Sequence, residues 1–366
     1  MKTINIIEFA QKDNSKLTLE NFYDVDALVL SQLSYLDFSY FKNKTKLLKT
    51  SPLIKEAASK TNSQERNEKL LKAASESSRY KYLKIVRYKE EASLLSELQF
   101  SATTFVVSRK LIVVAFRGTD NTINGWKEDF NLGFLKEIPA QKLAVEYLAK
   151  IAKKYRKHKI MIVGHSKGGN LAFYAAMKQT FTIQKRFLRI YNLDGPDFLE
   201  EISASEEYQN ILAKAVKIVP EESIIGMILQ THNEYVIVKA TGTLLNQHKL
   251  FNWLIDEKTN NLVYVETLTK TAKKIRVSLY SFLYTFTIEE REMIVNSLFD
   301  LLKVSECTTV SDFKKDFNNN LQLMYDKYKG SDAQTKKLLR KTLFELLKFF
   351  TLNYFRSEKV LDKKIE

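Results

Sequence analysis

KIMIVGHSKGGNLAFYAAMK, residues 159–178, is the stretch that decides how this chain folds. Residues 160–163 are continuously apolar, the texture of a short strand buried on both faces. Asn170 onward is alanine-rich and reads as a helix. Between them, Gly164-His165-Ser166-Lys167-Gly168 fits Gly-x-Ser-x-Gly. That pattern is short and gains weight only where strand, sharp turn and helix follow in order, as they do here. A serine on such a turn projects its Oγ above the sheet edge, and flanking glycines leave room where side chains would strike the neighbouring strand or helix. The helix beginning at the serine points its free N–H groups at developing negative charge. A phosphate-binding or purely structural turn is the competing reading.

Working outward, LKIVRY (83–88), LQFSATTFVVS (98–108) and LIVVAF (111–116) are runs of strand length, with Arg109-Lys110 as a tight hairpin between the last two. After a loop, Pro139 opens the helix PAQKLAVEYLAKIAKKYR. Downstream, FLRIYNL (187–193), AVKIVP (215–220) and EYVIVKA (234–240) are further strands. Strands alternating with helices predict an α/β fold with a mostly parallel sheet and flanking helices. From about residue 265 the pattern is helical throughout: 269–286, 288–303, a Ser-capped 311–329, and 333–355. Near the start, DALVLSQLSYLDF (26–38) is an amphipathic helix, and residues 41–80 read as a polar insertion or flap with limited burial of its own. The expected organisation is an N-terminal helical segment and flap (1–82), an α/β-hydrolase core (83–258) and a helical C-terminal lobe or cap (259–366).

The chain has 366 residues, 45% hydrophobic and 12% aromatic, enough for a sizeable core. Its net charge of +15 is spread along the whole chain rather than gathered in one segment. Such an excess reads first as a solvated basic surface. Weak contact with an anionic membrane surface is its favoured functional use. No zinc finger, RNP-like aromatic strand or basic zipper supports nucleic-acid binding. Cys307 stands alone and forms no internal disulfide, which fits a reducing cytoplasm. The N-terminal stretch lacks a signal-peptide core, and no apolar run approaches the roughly 18 residues of a spanning helix. A cytoplasmic protein, at most peripheral at a membrane, is expected. No HExxH, paired cysteine, Gly-x-Gly-x-x-Gly or Walker pattern marks a metal or nucleotide site, so no cofactor is expected. Nothing in the sequence sets an oligomeric state.

A serine hydroxyl needs a base to become nucleophilic. The chain has four histidines. His158 precedes the strand and belongs at its far end, and His165 sits on the turn with its side chain directed away from the serine hydroxyl. In hydrolase order, serine then acid then histidine, His232 and His248 remain, and position favours His248. For the acid, Asp194 follows FLRIYNL and is fixed by Gly195-Pro196, while Glu221 and Glu222 occupy the more usual place one strand later. The oxyanion donors would be the N–H groups of Lys167 and of Thr119, in the turn Arg117-Gly118-Thr119-Asp120; a plain β-turn with Asp120 bonding its own backbone reads equally well locally.

These residues carry a resemblance. FRGTDNTINGWKEDF (116–130) followed by an elbow serine resembles the class 3, fungal-type lipases, with Arg117-Gly118-Thr119 ahead of Trp126 and Asp129. GHSKGGNLAFYAA, NLDGPDF, VPEESIIGMIL and QHKLFNW are similar to a lipase-like α/β-hydrolase family of Gram-positive bacteria, over nearly the whole chain, LSQLSYLDF (30–38) and the helical C-terminus included. The resemblance implies Ser166 as nucleophile, Thr119 and Lys167 as oxyanion donors and His248 as base, acting on acyl esters, possible lipids among them. There is a departure: class 3 lipases carry their Asp in the segment that VPEESIIG matches, and this chain has Ser223 near that place, a further reason for Asp194. Asp197 also stands where relatives favour Gly. A catalytically silent hydrolase fold that binds lipid, membrane or protein is the alternative function. In the last helix, Leu339, Leu343, Leu346, Leu347, Phe350 and Tyr354 form a stripe, read as core or, more sharply, as a basic amphipathic surface that docks on membrane or lids the site.

Overall fold

A computed structural model describes residues 1–12, 15–59, 61, 63–230 and 234–355, with side chains described as far as residue 348. Nine strands form one sheet in which spatial order follows chain order. They are β1 (Thr45–Lys46), β2 (Lys84–Ser93), β3 (Leu98–Val106), β4 (Leu111–Phe116), β5 (Lys159–His165), β6 (Phe187–Leu193), β7 (Ala215–Pro220), β8 (Val236–Val238) and β9 (Tyr264–Val265). Strands β4 to β8 are parallel, while β1 to β4 and the final pair run antiparallel. The sheet is therefore mixed but mostly parallel in its centre, an α/β-hydrolase-type architecture.

The principal helices are α1 (Asp24–Leu33), α2 (Gln64–Glu76), α3 (Ile123–Asn131), α4 (Pro139–Lys154), α5 (Lys167–Met177), α6 (Lys270–Tyr284), α7 (Ile288–Lys303), α8 (Phe317–Lys329) and α9 (Ala333–Phe355). Period-two alternation sorts the central strands onto two faces. Ile112, Val114, Phe116, Ile160 and Ile162 pack under α4 and α5. Val113, Ala115, Met161 and Val163 face the N-terminal helices instead. Continuous apolar strands are required because both faces are covered.

The segment 41–80, read from sequence as a flap with little burial, buries Leu47, Leu70, Leu71 and Ala74 completely in that second face. Its described lysines stay at the surface while a sparse apolar set points in, so low mean hydropathy hid the contact. The buried Asp26 carboxylate ties it to α1, accepting from Arg79 Nε and Nη2 and from Tyr80 Oη, each at 2.6 Å.

Two readings are corrected locally. The region between β4 and Pro139 holds α3, capped by Thr122, whose hydroxyl accepts from Gly125 N–H; a short helix with exposed aromatics carries no clear apolar period. Residues 311–329 are two helices, Val310–Lys315 and α8, broken at Asp316, and the cap is Thr309 rather than Ser311. The C-terminal helices meet the core sparingly: Ala272 of α6 packs with Val219 and Met227, and Val295 and Phe299 of α7 pack with Phe134. No helix among the described residues is long and apolar enough to cross a membrane.

Asp26→Ala would leave the Arg79 guanidinium buried and uncompensated. Urea unfolding is expected to show a loss of about 3–5 kcal/mol; a loss below about 1 kcal/mol would mean the N-terminal segment is held by apolar packing alone.

Candidate active site

β5 delivers the chain to the turn and α5 carries it away. Ser166 lies between them at φ 58° and ψ −134°, a conformation rarely adopted by a residue with a side chain. Its N–H donates to Leu193 C=O and its C=O accepts from Gly169 N–H, holding the turn at both ends. The flanking glycines are needed for contact: a Cβ on Gly164 would lie 1.9 Å from Gly168 O, and one on Gly168 would lie 2.2 Å from Phe116 O. Lys167 opens α5, so its N–H has no intrahelical acceptor.

Asp194 stands at the end of β6, fully buried and also at positive φ, 50°. Its Oδ2 lies 2.7 Å from His248 Nδ1. Its Oδ1 accepts from Ser223 Oγ at 2.5 Å and from Gly226 N–H at 3.2 Å. A Cβ on Gly226 would come within 2.4 Å of that oxygen, so glycine is required beside the carboxylate. Gln247 fastens the histidine loop: its Oε1 accepts from Glu222 N–H, and its C=O accepts from the Trp253 indole. Glu221 uses its N–H on Val238 C=O at the sheet edge, and no described contact joins it to His248. His232 lies outside the described residues.

His165 supports the same loop. Its Nε2 lies 2.7 Å from the His248 carbonyl oxygen, which can only accept, so Nε2 carries the proton and Nδ1 accepts from Tyr35 Oη at 2.8 Å. The two imidazoles pack with centroids 4.5 Å apart. Burial, reinforced by His248, keeps His165 well below the usual histidine range, so it stays neutral in this role.

On the other side of the turn, Thr119 Oγ1 donates to the Asp129 carboxylate at 2.5 and 2.7 Å. Asp120 accepts from Thr122 N–H, the plain turn that local sequence also allowed. The Lys167 side chain is buried: its Nζ donates to Glu128 Oε2 at 2.7 Å and to Gln99 Oε1 and O, and lies 3.6 Å from Asp129. Asp197 is buried against Lys217 at 2.9 Å, which accounts for a charged residue in the Asp-Gly-Pro-Asp turn. The structure thus brings Ser166, Lys167 and Thr119 to one turn cluster and His248 to Asp194. Sequence reasoning did not single out Tyr35, Glu128 or Gly226; their partners are remote in the chain, and no spacing signals them. No group of His, Cys, Asp or Glu among the described residues could hold a metal ion.

The site defines a hydrolase-type elbow at the carboxyl edge of a mostly parallel sheet. The chain belongs to the Mbeg1-like family, whose model matches residues 74–300. No curated protein sequence matches it. Among solved structures it is similar to the Rhizomucor miehei lipase–propeptide complex, at 15% identity over 68% of this chain and 94% of that chain, TM-score 0.40. It is also similar to lipase II from Rhizopus niveus, at 16% identity over 54% of this chain and 83% of that chain, TM-score 0.34.

Burial lifts the Asp129 carboxyl to about 6 against the opposing pull of Lys167 and the Thr119 hydroxyl, with Glu128 adding to the rise. Because the folded value lies above the ordinary 3.8, folding takes up a proton in that window. This group's contribution to stability therefore falls as pH rises through it. Stability of Asp129→Asn relative to the parent chain should grow by on the order of 1–2 kcal/mol between about pH 4 and about pH 7, read by urea unfolding. A difference that stays flat with pH would show that Asp129 ionises as an ordinary surface carboxylate.

Proposed function

We propose that this chain is a serine hydrolase of carboxylic esters, acting on acyl esters such as those of lipids. The observation that carries the reading is the buried Asp194 carboxylate 2.7 Å from His248 Nδ1, in a chain whose Ser166 is held at positive φ at the cap of a helix. His165, next to Ser166 in the chain, bonds the His248 carbonyl, which ties the histidine loop to the elbow.

In this reading His248 takes the Ser166 proton as Oγ adds to the acyl carbonyl. Asp194, bonded at Nδ1, fixes the tautomer that leaves Nε2 free to accept and stabilises the imidazolium that forms. Ser223 and Gly226 hold the carboxylate from its other oxygen, so it cannot swing away. The oxyanion would be met by the N–H groups of Thr119 and Lys167. His248 then protonates the leaving alkoxide. Water, deprotonated by the same histidine, attacks the acyl-enzyme and releases the acid. The Thr119 side chain is turned to Asp129, which fixes the residue whose N–H is used.

Labelling by a fluorophosphonate probe tests the assignment. The parent chain should label, Ser166→Ala should not, and His248→Ala and Asp194→Asn should each slow labelling by about 100-fold or more. Undiminished labelling of Ser166→Ala, or none of a folded parent chain, would sink the reading and favour a binding module on a hydrolase scaffold.

A further inference from the structure

Helices α8 and α9 each present to solvent an apolar row that a core helix would hide. In α9, Leu338 and Thr342, one turn apart, are the buried positions, where the helix packs on α6 and α7. Leu343, Phe344 and Leu347 are 59%, 58% and 54% exposed. At 100° per residue they gather on the opposite side, so Leu343 and Leu347 of the stripe are not core and Phe344 joins them at the surface. Lys336, Lys337, Arg340, Lys341 and Lys348 stand among and beside them, and Glu345 is the one acid between residues 333 and 355. In α8, Asn320 is the buried position, while Phe317, Leu321 and Tyr325, at successive i+4 spacings, are 49%, 42% and 54% exposed.

Two of the lysines, each paired with an acid of its own helix, also lie over aromatic rings. Lys348 Nζ sits 4.5 Å from the centre of the Phe344 ring, and Lys329 Nζ sits 4.4 Å from that of Tyr325. A lysine stem along an apolar surface with its ammonium at the edge suits a boundary between hydrocarbon and phosphate. A second copy docking by this face would bring the same five cations against its own, which opposes self-association. Five basic residues against one acid also exclude α9 as a spanning segment.

We propose that α8 and α9 form a docking surface for anionic phospholipid bilayers. The helices lie along the bilayer plane, their exposed apolar rows enter the boundary between headgroups and acyl chains, and their lysines and Arg340 meet lipid phosphates. The inference stands on these helices alone and does not require that the chain be an esterase.

Co-flotation of the full chain with vesicles tests it without reference to catalysis. Vesicles of phosphatidylcholine containing about 30% phosphatidylglycerol should bind the protein at least about tenfold better than phosphatidylcholine alone, and less well as salt rises from about 0.1 M to about 0.5 M. Leu343→Glu with Phe344→Glu, both exposed, should cut binding about tenfold or more. A separate Lys337→Gln, Arg340→Gln, Lys348→Gln variant should lower it and flatten the salt dependence. Circular dichroism melts check folding, and Leu321→Glu with Tyr325→Glu gives the same test if the first pair fails to fold. Absence of binding to anionic vesicles, or binding unchanged in these variants, would overturn the proposal. So would a dimer, seen by light scattering without vesicles, that the Leu343 and Phe344 substitutions dissolve.

Discussion

Backbone touching backbone at the crossing of β5 and α5 is the constraint on which the rest of the site depends. With Gly164 and Gly168 in place, the strand and the first turn of the helix approach closely enough that a single added carbon would lie 1.9 or 2.2 Å from a carbonyl oxygen. Gly195 joins them from the next strand, since a Cβ there would lie 2.3 Å from Ser166 O. The serine has nowhere to relax. Its positive φ carries a strain of about 1–3 kcal/mol, which persists because burial of the central strands over-determines the turn. Placing the serine with that rigidity is what gives any partner histidine a fixed target.

The acid obeys the same logic one strand later. Asp194, like Ser166, is a non-glycine residue at positive φ where a parallel strand ends. Each thereby turns its side chain above the sheet edge instead of continuing the alternation. Moving the carboxylate to β6 leaves the end of β7 free, and Ser223 from that position donates to it. The serine found near the expected place of an acid is therefore the acid's own support. A buried carboxylate needs such donors, because without them its charge would be expelled by protonation.

Much of this was legible because it is local. β5, the glycine-flanked turn and α5 are contiguous, and most strands from 98 to 238 are separate apolar runs bounded by polar breaks, whereas β2 continues past the apolar run at 83–88 through polar residues to Ser93. The pairing of β3 with β4 follows from the short connection around Arg109-Lys110, although the register closes it with three residues, Ser108 to Lys110. Asp194 and His248 could be placed by strand ends, yet their approach joins residues 54 positions apart and no spacing dictates it. What stayed hidden was non-local or averaged away. Tyr35 meets His165 across 130 positions. Residues 41–80 hide a buried apolar set beneath a polar average. The row Leu343, Phe344, Leu347 has the spacing of core but faces solvent, because periodicity reports that a helix has two faces and not which one is covered.

Charge placement separates the interior from the surface. Lys167 and Lys217, both buried, are matched within 3 Å by Glu128 and Asp197, so the net excess of +15 lies with the cations outside the core. Around the proposed oxyanion site the match is more subtle. Two carboxylates, Glu128 and Asp129, share one ammonium, Lys167, and a second full negative charge there would oppose the negative charge that develops on a reacting carbonyl. Burial reduces that opposition by lifting Asp129 toward 6, so it carries a proton more readily than a surface aspartate would. Either protonation state can bond the Thr119 hydroxyl, as acceptor when ionised and through its remaining acceptor oxygen when not. The orientation of Thr119 is thus insulated from the titration of the group that fixes it, whereas the local field is not.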